Sequence, residues 1–273
     1  MQFNFIAVNY NGAQLTRGLL ESIRTLHRSD GDSVHTIVVD NNSDAGDLAE
    51  LASYIREDEG EILLPLDRNA GYFAGLNAGL AILDDKESAF TIVGNNDLVY
   101  QDDFLIQLGE YKPRENVMVL APDVVTLDGR HQNPLVRKRL PAWHKVRADL
   151  YFANYYITQC VRGMGGIASR LSPRRSSRKQ ELPFEAEEIK LGIGACYVLV
   201  PAYFEACKKL DDRVFLWGEE VLLSNQVETA GGSILFYPGL KVTHCESASV
   251  RHIQSRSRFE ILKASYKVYR EYL

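Results

Sequence analysis

Cysteine is scarce in this chain: four residues in 273 (Cys160, Cys196, Cys207, Cys245), none in a CxxC spacing. That excludes a zinc knuckle and gives no basis for a disulfide framework, so the thiols read as reduced and mostly in the core. Long apolar runs are missing too. The longest, such as residues 195–201, fall far short of the roughly 20 residues that a membrane-spanning helix needs. The opening MQFNFIAVNYNG has no basic region ahead of its apolar stretch, so it does not read as a secretory leader, and the expectation is a soluble, cytoplasmic protein. No P-loop and no internal repeat occur. GMGGIA at 163–168 has the spacing of a dinucleotide fingerprint but no strand before it, which makes the match fortuitous.

What is present is a globular composition, 45% hydrophobic and 25% charged, sufficient for one compact domain. The net charge of −5 conceals an asymmetry: residues 130–179 hold twelve basic side chains against one acid, Asp149. The first half alternates short apolar runs with helical patterns, the form of βαβ units around a parallel sheet. Strands are expected at 3–8, 35–40, 62–66, 90–94 and 118–125. Helices are expected between them, the first with Leu15, Leu19, Ile23 and Leu26 on one face. Residues 128–190 break the pattern and read as an irregular basic insertion with a short helix near 150–156. Order returns with a buried strand at 194–200, helices at 203–209 and 219–230, a strand at 234–237, and a polar helical tail from about Ile253.

Polar clusters follow three of these strands directly: Asn9 to Asn11, Asp40 to Ser43, and Asn95 to Asp97. Each alone suits a turn, because Asn, Asp and Ser bond their own backbone. In a parallel sheet, however, all three face the crevice outside the carboxyl ends of the strands. A carboxylate at Asp40 can accept from the N–H of a pyrimidine or from ribose hydroxyls. Asp97 offers a hard oxygen to Mg²⁺ or Mn²⁺ held jointly with a diphosphate, and Asn95 adds an uncharged carbonyl. Small residues cluster where a helix begins beside this crevice, at Asn69, Ala70 and Gly71, then Gly75, Asn77 and Gly79. They permit either close approach of a diphosphate to a helix N-terminus or tight helix-on-sheet packing. Glu219 and Glu220 open a helix after the aromatic run 215–217. Acids there complement the helix dipole, and an aromatic wall also raises a carboxylate's proton affinity toward that of a general base. His244, expected on a loop after the last strand, is a candidate metal or diphosphate ligand.

Taken in order, VNYNG (8–12), VVDNNS (38–43), RNAGYFAGLNAG (68–79), GNND (94–97), GACYVLV (194–200), FLWGEE (215–220) and PGLKVTHCESAS (238–249) make the chain resemble the inverting glycosyltransferase family 2, in particular its rhamnosyltransferase-like branch. The resemblance implies an α/β GT-A fold, a Rossmann-like, mostly parallel sheet flanked by helices in a single domain. Residues 1–127 would be the nucleotide-sugar half, 128–190 the insertion, and 191–273 the acceptor-side half. It implies Asp40 on the base, Asp97 as the last acid of a DxD-type metal motif, and the acidic pair as the source of the catalytic base. Three departures stand out: Asn95 replaces the first acid, Glu220 stands where Asp is usual, and Leu222 stands where another acid is common.

The expected site is therefore Glu220 with Glu219 for catalysis; Asn9, Asn11, Asp40, Asn42, Asn69, Gly71, Asn77 and Asn96 for the nucleotide sugar; and Asp97, Asn95 and His244 for Mg²⁺ or Mn²⁺. The expected activity is transfer of a sugar from a dTDP- or UDP-sugar to a saccharide or lipid-linked glycan in cell-surface polysaccharide synthesis. Residues 130–179 suit peripheral contact with an anionic membrane, and no nucleic-acid motif accompanies them. A sugar-phosphate nucleotidyltransferase and a silent nucleotide-sugar-binding subunit are the rival readings.

Overall fold

A computed structural model describes residues 1–84, 86–139, 141–156, 158, 185–245 and 255–273. The GMGGIA stretch, the SPRRSSRK cluster at 172–179, Cys160 and the end of the PGLKVTHCESAS segment lie outside the described residues.

The first strands, β1 (Gln2–Asn9), β2 (Ser33–Asp40), β3 (Glu61–Pro65) and β4 (Phe90–Asn95), alternate with helices α1 (Ala13–Arg24), α2 (Ala45–Ala52) and α3 (Tyr72–Ala81). Next come β5 (Leu98–Tyr100), α4 (Phe104–Gly109), β6 (Val117–Thr126), α5 (Trp143–Ala153), β7 (Glu187–Ile189) and β8 (Cys196–Leu199). The chain closes with α6 (Pro201–Ala206), α7 (Glu219–Thr229), β9 (Ser233–His244) and α8 (Ser255–Tyr269). The nine strands of the described residues form one sheet in the order β3-β2-β1-β4-β8-β6-β9-β5, with β7 also paired to β9. The long ladders β1 with β2 and β6 with β9 are parallel, whereas β8 runs antiparallel between β4 and β6. β2 and β3 continue to one side of β1 and β4 starts the other. That reversal opens a crevice at the carboxyl ends of β1 and β4.

Alternation along β1 divides the core. Phe3, Phe5 and Ala7 face Leu19, Ile23 and Phe104, while Ile6 faces Phe73, Leu76 and Leu80 of α3. α3 lies close on β1 and β2 because it presents glycine there: a Cβ on Gly75 would stand 3.0 Å from Val8, and one on Gly79 would stand 2.5 Å from Ile6 and 3.2 Å from Val39. These two glycines serve helix-on-sheet packing.

Three sequence expectations change. The helix expected at 150–156 is α5, starting at Trp143; it has no buried residue, so no apolar core stripe marked it. β9 does not stop at Tyr237. A bulge lets the strand resume at Lys241, opposite Asp123, and end at His244, so His244 is a strand end and not a loop residue. The short strands β5 and β7 carry too few residues to show a period.

Gly79→Ala tests the packing. Because the clash is with a β-branched side chain held in the sheet, it should cost about 1–3 kcal/mol, read from the denaturant midpoint at unchanged m-value.

Candidate active site at the strand ends

The crevice floor is a buried polar knot. Asn9, fully buried at the end of β1, has its amide nitrogen 2.9 Å from Asp40 Oδ1, 2.9 Å from Asp47 Oδ2 and 3.1 Å from Ser43 Oγ. Its Oδ1 accepts from Thr16 at 2.9 Å and from Asn96 Nδ2 at 3.1 Å. Asp40, 0% exposed, also accepts from the Ser43 N–H at 2.9 Å, so both of its oxygens are engaged in shaping the 40–43 turn. Asn96 donates further to Thr16 and to the Gly12 carbonyl. The structure thus brings Asn9, Asp40 and Asn96 together on one edge, tying β1, β2, β4 and α1. Asn11 and Asn42 stand exposed at the rim with φ of +50° and +63°, a region that asparagine tolerates, and Asn11 Oδ1 accepts the Asp44 N–H.

The second wall is the start of α3. Buried Asn41 donates to Asn69 Oδ1 at 3.0 Å and to the Gly71 carbonyl, and it accepts from the Ala70 N–H. Gly71 has φ +97°, and a Cβ there would lie 2.5 Å from the Phe215 carbonyl oxygen; the Tyr72 N–H donates to that same carbonyl. Asn77 faces elsewhere. Its amide bridges the Leu210 backbone and Asp212, clamping a loop distant in sequence, so its hydrogen-bonding groups are not presented to the crevice.

Across the sheet, Asn95, Asp97 and His244 meet. His244 Nε2 is 3.3 Å from Asp97 Oδ1 and 3.3 Å from Asn95 Nδ2, and its Nδ1 is 2.7 Å from Gln132 Oε1. A glutamine carbonyl only accepts, so Nδ1–H donates to it, and the Asn95 amide N–H can donate to Nε2. The Asp97 carboxylate and the His244 imidazole, with the Asn95 amide beside them, are the donor types that suit a divalent cation shared with a ligand's oxygens. Among the described residues no group of three or more His, Cys, Asp or Glu is placed to hold a metal ion.

Glu219 and Glu220 begin α7, behind a strained approach: Trp217 has φ +66° and Gly218 φ +103°, and a Cβ on Gly218 would fall 2.3 Å from the Tyr269 ring. Glu219 is 4% exposed and its Oε1 has no hydrogen-bond partner. Burial first, and then repulsion from Glu220, push its carboxyl up to about 8. Burial also raises Glu220, whose Oε1 accepts the Gly194 N–H at 3.3 Å. The Gly194 carbonyl accepts from Tyr72 Oη at 2.8 Å, and the next carbonyl, Ala195, accepts the Asn95 N–H at 2.9 Å. Two adjacent residues thereby join the glutamate pair to the Asn95, Asp97 and His244 corner. Glu220 also lines a cavity of about 860 Å³ whose walls include Arg147, Tyr151, Phe152, Leu191 and Tyr269.

This arrangement has relatives. Residues 5–170 match Glycosyl transferase family 2. The chain belongs to that family. No curated protein matches the sequence. Among solved structures, GalNAc-T7, crystallised with UDP, GalNAc and Mn²⁺, is similar over 90% of this chain and 44% of its own, at 15% identity and TM-score 0.59. TarS of S. aureus is similar over 91% of this chain and 37% of its own, at 14% identity and TM-score 0.57. Its residues 1–349 in complex with UDP-GlcNAc align with 93% of this chain and 62% of their own, at 15% identity and TM-score 0.56. The chain thus spans less than half of the first two. At such identities the likeness establishes the GT-A fold of the family, a mixed α/β domain with helices flanking the sheet.

Four contributors to this family member's site were not singled out from sequence: Asn41, Gln132, Tyr72 and Tyr269. Asn41 sat unranked in the Asp40 cluster. Gln132 lies in the basic stretch, Tyr72 inside a glycine-rich motif and Tyr269 in the tail, and none carries a local signal for what it touches.

The glutamate pair makes stability depend on pH. A carboxyl whose folded value lies above its unfolded one binds more protons when folded, so its stabilising effect is complete below the unfolded value and is lost as pH rises toward about 8. Glu219→Gln should flatten the fall in stability between about pH 5 and 9, by up to about 1.4 kcal/mol per pH unit, in thermal melts across that range. A slope equal to the parent's would place the raised proton affinity elsewhere.

Proposed function

We propose that this chain is an inverting glycosyltransferase that moves a sugar from a nucleoside diphosphate donor, a dTDP- or UDP-sugar, to a hydroxyl of a saccharide or lipid-linked glycan. The observation that carries the reading is the continuity of the Asn95, Asp97 and His244 corner with Glu220 through Gly194 and Ala195. On this reading the corner that would take the diphosphate and cation is linked by two adjacent residues to a desolvated carboxylate. Displacement at an anomeric carbon needs those two features side by side.

The nucleoside would lie over the 40–43 turn, flanked by Asn11, Asn42 and the Asn69 to Gly71 loop, with Asp40 and Asn9 holding that turn in shape. Asp97, Asn95 and His244 would hold Mg²⁺ or Mn²⁺, which when bound neutralises charge on the departing diphosphate. Glu220 takes the acceptor hydroxyl's proton while that oxygen attacks the anomeric carbon. The bond from that carbon to the diphosphate oxygen breaks on the opposite face, so the configuration inverts. Glu219, buried behind, is held neutral near pH 7 and keeps a second negative charge away from Glu220. The cavity beside Glu220 would receive the acceptor, with Tyr151, Phe152 and Tyr269 offering ring faces to a sugar. A hexosyl or rhamnosyl donor in cell-surface polysaccharide synthesis is the setting that the sequence motifs favour, and the complexes of TarS with UDP and with UDP-GlcNAc support a nucleotide-sugar donor.

Glu220→Gln is the direct test. Donor binding, followed by thermal shift over a panel of nucleotide sugars with Mn²⁺, should survive, while transfer falls by about 10²- to 10⁴-fold. Undiminished transfer would move the base to Glu219. Release of pyrophosphate from a nucleoside triphosphate and a sugar phosphate would identify a nucleotidyltransferase instead. Donor binding without turnover in the parent protein would mark a silent subunit.

A further inference from the structure

α5 is built unlike the other long helices. Over its eleven residues no side chain is buried, and its outward face carries Trp143, Val146 and Leu150, which are 55%, 59% and 62% exposed. The spacing of three and then four residues puts them on one stripe. Arg147 shares that face, its guanidinium 5.8 Å from the Trp143 ring centroid, and exposed Lys138 and Arg139 precede the helix, next to Arg137, which pairs with Glu187. The only acid on α5, Asp149, lies on the inward side, where it pairs with Arg270 at 2.7 Å and accepts from Tyr266. Phe152 stacks on Tyr266 at 4.5 Å, so the helix is fastened by its inner side and leaves the apolar stripe outward.

An exposed tryptophan and two aliphatic residues beside three cations, Lys138, Arg139 and Arg147, match a lipid headgroup layer of negative charge. The aliphatic and indole groups enter the acyl boundary while the guanidinium and ammonium groups meet phosphates. A protein partner of the same complementarity would need an acidic rim around an apolar groove. The charges that flank the stripe are positive, Lys138 and Arg139 before the helix and Arg147 on it, which is the complement of an anionic layer. We infer that α5 is an interfacial helix that seats this protein on an anionic membrane surface. The cavity that Glu220 lines has Arg147 and Leu150 in its wall, so a seated α5 sets the cavity mouth at the headgroup level. This last consequence rests on the catalytic reading above, whereas the docking itself does not.

The test uses the full chain and vesicles of phosphatidylcholine, with or without about one quarter phosphatidylglycerol, in co-sedimentation at low and high salt. The parent protein should pellet with the anionic vesicles, lose most of that binding at high salt, and show a blue-shifted Trp143 emission. Trp143→Ser with Val146→Ser changes only exposed positions outside the cavity wall. It should reduce vesicle binding by about tenfold or more, with the thermal midpoint and the donor-induced thermal shift unchanged. Trp143→Phe should keep sedimentation and lose the blue shift, since the other tryptophan is Trp217. Equal pelleting of the parent and the double variant, or no pelleting of the parent, would refute the inference. So would a concentration-dependent dimer in sedimentation velocity that the double variant abolishes, which would assign the stripe to a second copy. A failed donor shift alongside intact vesicle binding would count against the catalytic reading alone.

Discussion

One buried amide organises the crevice. Asn9 sits where β1 ends, and its two N–H groups and one carbonyl serve five partners from β2, the turn after β2, α1, α2 and the turn after β4. Buried polar groups are costly unless paired, and each bond from this amide to a carboxylate is of the stronger, charge-assisted kind. Fully satisfied, such a network fixes the separation and angle of the strand ends that it joins. Asp40 and Asn96 hold the positions they do because Asn9 leaves them no other geometry.

The far wall depends on the opposite situation, a carboxylate left deliberately poor in partners. Glu219 is buried with one oxygen unpaired, and the segment that leads into it has two successive residues at positive φ. Such a conformation persists only when its surroundings over-determine it. Here α8 does so: Ser265 donates to the Leu216 carbonyl, Arg258 lies 5.1 Å from the Trp217 ring centroid, and Tyr269 closes over Gly218. The tail helix is thus a latch on the loop that presents Glu219 and Glu220. It also holds α5 through Asp149, so the loop, the latch and the outward apolar stripe form one mechanical unit.

Much of the crevice was legible in the chain, for a simple reason. In a parallel sheet the carboxyl ends of successive strands share an edge, so polar residues directly after Val8, Val39 and Gly94 must gather. What local pattern did not show has equally plain causes. Asn77 looked like a pocket residue within a small-residue helix start, but its partners, Leu210 and Asp212, come from more than a hundred positions later. His244 looked like a loop residue because Pro238 and Gly239 usually end a strand, yet a bulge carries β9 past them. Gly75 and Gly79 could have served a ligand or a sheet, and only the distance to Ile6, Val8 and Val39 decides for the sheet.

By itself the sequence determined the α/β class, the ordered motifs of the family, the edge on which polar groups collect and the carboxylates available for chemistry. These follow from local periodicity and from residue types at strand ends. Only the tertiary structure decided that Glu219 is buried while Glu220 reaches a cavity, that His244 joins Asn95 and Asp97, that α8 latches the glutamate loop, and that the stripe of α5 faces outward. Burial, proton affinity and convergence are properties of what surrounds a side chain, and those surroundings are assembled from segments that no local pattern relates.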